Sequence, residues 1–125
     1  MIETIADRKS TAPRLHITGQ LSEVMKESSQ IAYNFAKSFL AKYFPENKIL
    51  QTASLHIHFP SGESPKDGPS AGISIATSII SVALNKPVAP YISMTGEITL
   101  TGQVLAIGAL LIKHNPYCKV LFNDL

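Results

Sequence analysis

The segment PKDGPSAG, residues 65–72, places a serine directly after residues that form tight turns. Two interpretations fit Ser70. Pro69 suits the first position of a helix, where no N–H is needed, and Asp67 or Gly68 is available as the cap, so Ser70 could simply begin a helix. A serine there also lies beside free helix N–H groups and the positive end of the helix dipole, which stabilise a developing oxyanion. The same residues therefore also fit a nucleophile for acyl transfer.

A serine nucleophile needs a neighbouring base, because its hydroxyl is a poor nucleophile while protonated. His56 and His58 precede the turn, and Lys113 and His114 lie far along the chain. Histidine is the common partner of serine. A lysine base requires burial among apolar groups, which brings its pKa from about 10.4 to about 7 or 8. The apolar run AIGALLI before Lys113 fits that requirement, but a surface lysine at a helix start is the more common case for such a residue.

A metal site is a third interpretation of the two histidines of the HIH string, His56 and His58. Such a site needs one or two further ligands, and the sequence does not identify them. The single cysteine, Cys118, forms neither an internal disulfide nor a C-x-x-C metal clip. We therefore expect no metal and no cofactor, and a reducing compartment fits this cysteine content.

The composition restricts the class of protein. With 125 residues, of which 45% are hydrophobic and 16% charged, the chain suits one compact domain. The formal net charge of +2, without a basic block, gives no indication of nucleic-acid binding. The longest strongly apolar run, ISIATSIISVAL, is too short to span a bilayer, and the N-terminus resembles neither a signal peptide nor a transit peptide. We expect no membrane partner.

Two elements are predicted before the serine. Apolar residues recur at helical spacing up to Tyr43 and predict an amphipathic helix that Pro45 ends. SLHIHF, residues 54–59, alternates as a strand does, with its apolar residues on one face and both histidines on the other. The helical stripe that we expect in the core consists of Leu21, Val24, Met25, Ala32, Phe35, Phe39 and Tyr43.

A buried helix is predicted from Ser70 to about Leu84, because this segment is apolar nearly all round and ends near Asn85 and Pro87. YISMT and QVLAIG are predicted to be strands joined through GEITLTG. The order of helix, strand, helix and strands indicates an α/β or α+β domain.

At this point a resemblance to a known family adds to the interpretation. HIHFPSGESPKDGPSAG and SMTGEITLTGQVLAIG resemble the proteolytic domain of Lon proteases, and TGQLSEVMKESSQIAYNFAKSFLAKYFPEN resembles the preceding helix, most closely in mitochondrial Lon of fungi. The resemblance extends over residues 18–108, and PKDGPSAG and MTGE are far more specific than a lone motif. It implies a Lon-type α/β (α+β) fold, with small sheets packed against helices and a buried helix after PKDGPSAG.

The resemblance also implies a serine peptidase with a Ser-Lys dyad. Ser70 matches the nucleophile, and Lys113 falls at the position of the base. Thr95 of MTGE is implied to lie near the lysine, and His58 and residues 60–67 to border the substrate groove. The other positions implied to support the site are Asp67, Gly68, Pro69, Gly96 and Glu97.

The resemblance implies protein substrates as well. Unfolded or misfolded proteins are the substrates of this family, which performs protein quality control in the mitochondrial matrix and assembles as hexameric rings. Residues 1–125 contain no G-x-x-x-x-G-K-[ST] string, so we expect peptide cleavage without ATP unless a separate ATPase is supplied.

The sequence departs from the family pattern at both ends. We interpret residues 1–125 as a partial Lon-type domain, with a poorly matched lead-in at 1–17 and a divergent, shortened end at 109–125. Ala109 replaces a glycine, Leu111 and Ile112 replace a charged pair, and Pro116 prevents a helix from continuing through it. The alternative hypothesis is therefore a catalytically inactive fragment that acts as an interaction or assembly piece.

Overall fold

The computed structural model describes residues 1–60 and 68–105. Within these residues, short strands form two small sheets, which are accompanied by three α-helices. The predicted mixed fold class is therefore confirmed. In chain order the elements are β1 (Glu3–Asp7), β2 (Leu15–Thr18), α1 (Glu23–Tyr43), α2 (Ile49–Thr52), β3 (Ser54–His58), a 3-10 turn (Pro69–Ala71), α3 (Gly72–Leu84), β4 (Glu97–Ile98) and β5 (Val104–Leu105).

The larger sheet has three strands in the order β1-β3-β2. β3 pairs antiparallel with β1 and parallel with β2, which places Ile5 and His16 on either side of His56. Leu55 and Ile57 are buried on the inner face, whereas His56 and His58 lie on the outer face. The alternation predicted for SLHIHF is therefore confirmed. The strands of the lead-in, β1 and β2, have no counterpart in the prediction.

The helix α1 begins after Ser22, whose side chain accepts a hydrogen bond from the Met25 N–H, and it ends before Pro45 as predicted. The predicted core stripe is wrong at its edges, because Val24 and Tyr43 are 46% and 55% exposed. Small residues allow α1 to approach α3 closely, and this turns part of the larger aromatic stripe outward. The buried residues of α1 are Met25, Ser28, Ser29, Ala32, Tyr33, Ala36 and Leu40.

The helix α3 ends at Asn85, which adopts the left-handed conformation (φ 52°) and caps the helix. This matches the predicted end of the buried helix. Gly72, Ile75, Ala76, Ile79 and Ala83 are buried, and they face α1 and the sheet. In the described part of the chain, no helix has both the length and the apolar character that a membrane crossing requires.

The segment YISMT is not a strand, contrary to the prediction. The short second sheet lies after it and pairs Glu97 with Leu105 and Ile98 with Val104. YISMT has the composition of a strand, but polar groups at its end bond to other elements. The Met94 carbonyl accepts from the Ser74 hydroxyl of α3, and the Thr95 hydroxyl donates to the Ser70 carbonyl in the 3-10 turn. Tertiary contacts therefore override the local β propensity here.

Tyr33 on α1 supplies a first prediction. Its hydroxyl donates to the Leu50 carbonyl at 3.2 Å, and burial raises the pKa of Tyr33. Tyr33→Phe is expected to lower the free energy of unfolding by about 1 kcal/mol at neutral pH. Because the pKa of Tyr33 is raised in the folded state, the contribution of its neutral hydroxyl to stability is fully present below about pH 10 and is lost as the pH rises further. Above about pH 10, Tyr33→Phe should therefore lose less of its free energy of unfolding than the wild type does.

Urea unfolding at pH 7 and pH 10.5 measures both effects. Tyr43→Phe is the matched control, because Tyr43 lies on the same helix and is 55% exposed. Its stability should stay within about 0.5 kcal/mol of the wild type. Equal stabilities for Tyr33→Phe and the wild type at both pH values would contradict the role assigned to the Tyr33 hydroxyl.

Candidate active site

Ser70 lies at the start of α3, in the 3-10 turn that leads directly into the helix. Pro69 is the first residue of the turn, as predicted, and Gly68 before it has φ 92°. The 13-residue α3 then directs its positive dipole end toward the turn. Ser70 is half-buried, and its hydroxyl makes no hydrogen bond within the described residues. A hydroxyl in this position has the electrostatic surroundings that favour a developing negative charge.

The MTGE segment holds the backbone of this turn. The Ser70 carbonyl accepts from the Gly96 N–H at 2.7 Å and from the Thr95 hydroxyl at 3.3 Å. The Gly96 carbonyl in turn accepts from the Ile73 N–H at 3.1 Å. Glu97 follows as the first residue of β4 and is half-buried. The structure therefore brings Ser70 together with Thr95 and Gly96, although Thr95 lies 25 residues further along the chain.

The first residue of α3 lies against both α1 and β4. A Cβ on Gly72 would lie 2.8 Å from the Ile98 nitrogen and 3.2 Å from the Ser28 hydroxyl oxygen. Contacts this close leave no room for a side chain, so glycine permits the approach of the three elements. The turn that carries Ser70 is thus packed from two sides in addition to its hydrogen bonds.

The two histidines of β3 share a different partner. The Thr18 hydroxyl lies 2.7 Å from His56 Nε2 and 2.8 Å from His58 Nδ1, and His16 packs edge-on against His56. Neither imidazole hydrogen-bonds to Ser70 in the described part of the chain, so a Ser-His pair is not formed there. Residues 1–60 and 68–105 also hold no group of three or more His, Cys, Asp or Glu side chains arranged to bind a metal ion.

Several predicted site residues lie outside the described residues. Asp67, Lys113 and His114 are among them, as is most of the predicted groove segment 60–67. The sequence interpretation missed two features of the site that are described: the bonds from Gly96 to the Ser70 turn and the hydroxyl shared by His56 and His58. The MTGE string indicated that Gly96 belongs to the site, but its bonds to the turn are made by backbone groups, which every residue type except proline carries in full.

A groove of about 350 Å³ lies along α3, lined in part by Ser74, Thr77 and Ser78. Its opposite wall includes Met1 and Met94. None of the predicted site residues that the structure describes lines it, and its hydroxyls are already bonded: Thr77 to the Met94 sulfur and Ser78 to Thr4. We therefore place the candidate active site at the Ser70 turn and not at this groove.

Sequence comparisons relate the chain to known proteins. The model of the Lon protease (S16) C-terminal proteolytic domain matches residues 1–115. The chain is similar to the mitochondrial Lon protease homolog of Aspergillus niger, with 58% identity over 112 residues, which are 87% of this chain and 10% of that protein. The mitochondrial Lon protease homolog of Kluyveromyces lactis is 58% identical over 101 residues, which are 81% of this chain and 9% of that protein. The homolog of Saccharomyces cerevisiae is 59% identical over 98 residues, which are 78% of this chain and 9% of that protein. The chain thus spans about a tenth of the length of the curated relatives it matches.

Proposed function

Because this chain belongs to the Lon protease (S16) C-terminal proteolytic-domain family, we propose that it is a serine endopeptidase that uses Ser70 and Lys113 as a dyad. One observation carries the proposal. The serine of the most specific motif, PKDGPSAG, lies half-buried at the positive end of α3, and MTGE fixes its carbonyl. A nucleophile needs both a fixed backbone and a favourable field for the charge that it develops.

The reaction follows from these residues. Neutral Lys113 Nζ takes the proton of the Ser70 hydroxyl while Ser70 Oγ bonds to the scissile carbonyl carbon. Amide groups at the start of α3 stabilise the resulting oxyanion. The C–N bond then breaks, and the protonated lysine gives its proton to the leaving amine. Water next adds to the acyl-enzyme with Lys113 as base, and release of the acid restores the Ser70 hydroxyl.

Lys113 is proposed from its position in the sequence, since it lies outside the described residues. It follows the run LLI, whose apolar side chains suit the burial that a neutral lysine requires. We further propose that the Thr95 hydroxyl, which already donates to the Ser70 carbonyl, lies near the lysine nitrogen. His58, at the end of β3, is proposed to border the substrate groove.

The proposed substrates are peptides and proteins that are already unfolded. Residues 1–125 contain no P-loop string, so ATP-driven unfolding would have to come from sequence outside them. The relatives that the chain matches are named as mitochondrial, and we propose the mitochondrial matrix as the location. Assembly with further copies, up to a hexameric ring, is proposed on the family's behaviour.

The test combines cleavage with covalent labelling. The purified chain is incubated with fluorescently labelled, denatured casein without ATP, before and after treatment with a fluorophosphonate that modifies activated serines. Peptide mapping by mass spectrometry then locates the adduct. We expect the adduct on Ser70, and we expect cleavage to fall in proportion to the fraction modified. The heat-unfolded chain is the control and should remain unmodified.

Two outcomes would change the interpretation. Cleavage that continues after complete modification of Ser70 would contradict its role as nucleophile. A folded chain that neither cleaves casein nor reacts with the fluorophosphonate would favour the alternative, a catalytically inactive piece that acts in assembly. The departures from the family pattern after Gly108 are the reason for this alternative, because they alter the segment that carries Lys113.

A further inference from the structure

The residue that follows Thr95 in MTGE contacts the Ser70 turn only through its peptide group. The Gly96 N–H donates to the Ser70 carbonyl at 2.7 Å, and the Gly96 carbonyl accepts from the Ile73 N–H at 3.1 Å. These two bonds join Gly96 to Ser70, which lies before the junction between the 3-10 turn and α3, and to Ile73, which lies after it. Any shift of Gly96 therefore displaces the backbone on both sides of this junction, including the Ser70 carbonyl.

The space beside Gly96 is occupied by Val104. A Cβ on Gly96 would lie 2.5 Å from Val104 Cγ1, far inside ordinary contact distance, and Gly96 has φ 155°. The next nearest atoms are at ordinary distances, with the Leu105 oxygen at 3.5 Å and Ile73 Cγ2 at 3.7 Å. Val104 is thus the one close contact of a side chain at this position among the described residues.

Val104 has little freedom to move away. It pairs with Ile98 in the β4–β5 hairpin, which is closed by bonds between Thr99 and Gln103. The turn of the hairpin rests on α1, since a Cβ on Gly102 would lie 2.6 Å from Phe35 Cε2. The hairpin is therefore supported at its turn by α1, and at its base Val104 contacts the peptide that holds the Ser70 turn.

We propose that Gly96 is a positioning residue for Ser70. Its peptide group fixes the turn, and its lack of a side chain leaves the space that Val104 fills. This inference rests on the proposed role of Ser70 as nucleophile. A side chain at position 96 pushes the MTGE backbone away from Val104 and rotates the Ser70 carbonyl, which misplaces the hydroxyl without changing any group that binds substrate.

Four proteins test the proposal: the wild type, Gly96→Ala, Val104→Ala and the double variant. In Gly96→Ala we expect kcat to fall about 100-fold with KM within about twofold, since a shift of 1 Å is enough for such a loss. Val104→Ala should keep at least about a third of kcat. The double variant should recover part of this loss, at least about threefold over Gly96→Ala, because the clash with residue 104 is relieved while the unfavourable positive φ of an alanine at position 96 remains.

Amide hydrogen exchange gives a readout that does not depend on cleavage. The Ile73 amide, which donates to Gly96, should exchange about tenfold faster in Gly96→Ala and regain protection in the double variant. The amides of Ile57 in β3 and Ile79 in α3 serve as internal controls and should keep their rates. An equal acceleration at all three amides would show global destabilisation and would overturn the proposal.

The proposed function and the positioning role of Gly96 fail separately. If the wild type cleaves no peptide, the proposed function falls, whatever the exchange rates show. If Ile73 exchange or kcat is unchanged in Gly96→Ala, the positioning role of Gly96 falls while the role of Ser70 stands.

Discussion

Replacing Ser70 with alanine should reduce the rate of peptide hydrolysis at least about 1000-fold, the loss typical of a missing nucleophile. The substitution removes one oxygen atom and leaves the turn intact, because the contacts from Gly96 and Thr95 are to the Ser70 carbonyl and not to its hydroxyl. We therefore expect the free energy of unfolding to change by no more than about 0.5 kcal/mol. Ser70→Ala should therefore lose its activity and keep its stability.

The measurement compares initial rates on a fluorogenic peptide with urea unfolding of the same preparations. Ser81→Ala is a matched control: Ser81 lies on the same helix, and its hydroxyl donates to the Lys86 carbonyl. It should keep its activity while losing about 1 kcal/mol of stability. A Ser70→Ala chain that cleaves as fast as the wild type would remove Ser70 from the mechanism and direct attention to another hydroxyl.

Replacing Lys113 with alanine is expected to lower kcat by about 100-fold to 10,000-fold, the range for a lost general base. Lys113→Arg should be equally inactive, because a guanidinium stays protonated and accepts no proton. A small primary amine added to Lys113→Ala should restore part of the activity and should restore none to Lys113→Arg. This contrast separates loss of the base from loss of a positive charge.

The pH dependence gives a further check on the same residue. Only the neutral amine accepts a proton, so kcat should rise with pH until the lysine is fully deprotonated. Lys86→Ala, which changes an exposed lysine just after α3, is the control and should leave this profile unchanged. Full activity in Lys113→Ala would contradict the dyad and make His114 the next candidate for the base.

The sequence predicted the elements whose pattern repeats over several turns or pleats. α1 and α3 are long enough for their helical spacing to be clear, and β3 alternates without exception. β1 and β2 were missed because Glu3–Asp7 and Leu15–Thr18 are short and sit among polar residues. Their strand conformation comes from pairing with β3, and no local pattern encodes a partner about 40 to 55 residues away.

The site was predictable where residue type carries the information. Pro69 at the start of a helix and Ser70 behind it follow from local rules, and both are placed as expected. Two features depend on packing instead. The outward position of Tyr43 follows from the close approach of α1 and α3, and the bonds of Gly96 to the Ser70 turn follow from the path of a segment predicted to be a strand.

The strand order β1-β3-β2 has a consequence for how the chain folds during synthesis. β1 and β2 leave the ribosome before β3, and among residues 1–60 and 68–105 both pair with β3 and not with each other. Both strands therefore lack this partner until residues 54–58 have been made. Such long-range pairing slows folding and leaves strand edges open to other chains in the meantime. A nascent chain halted before β3 is thus the form that most needs a chaperone.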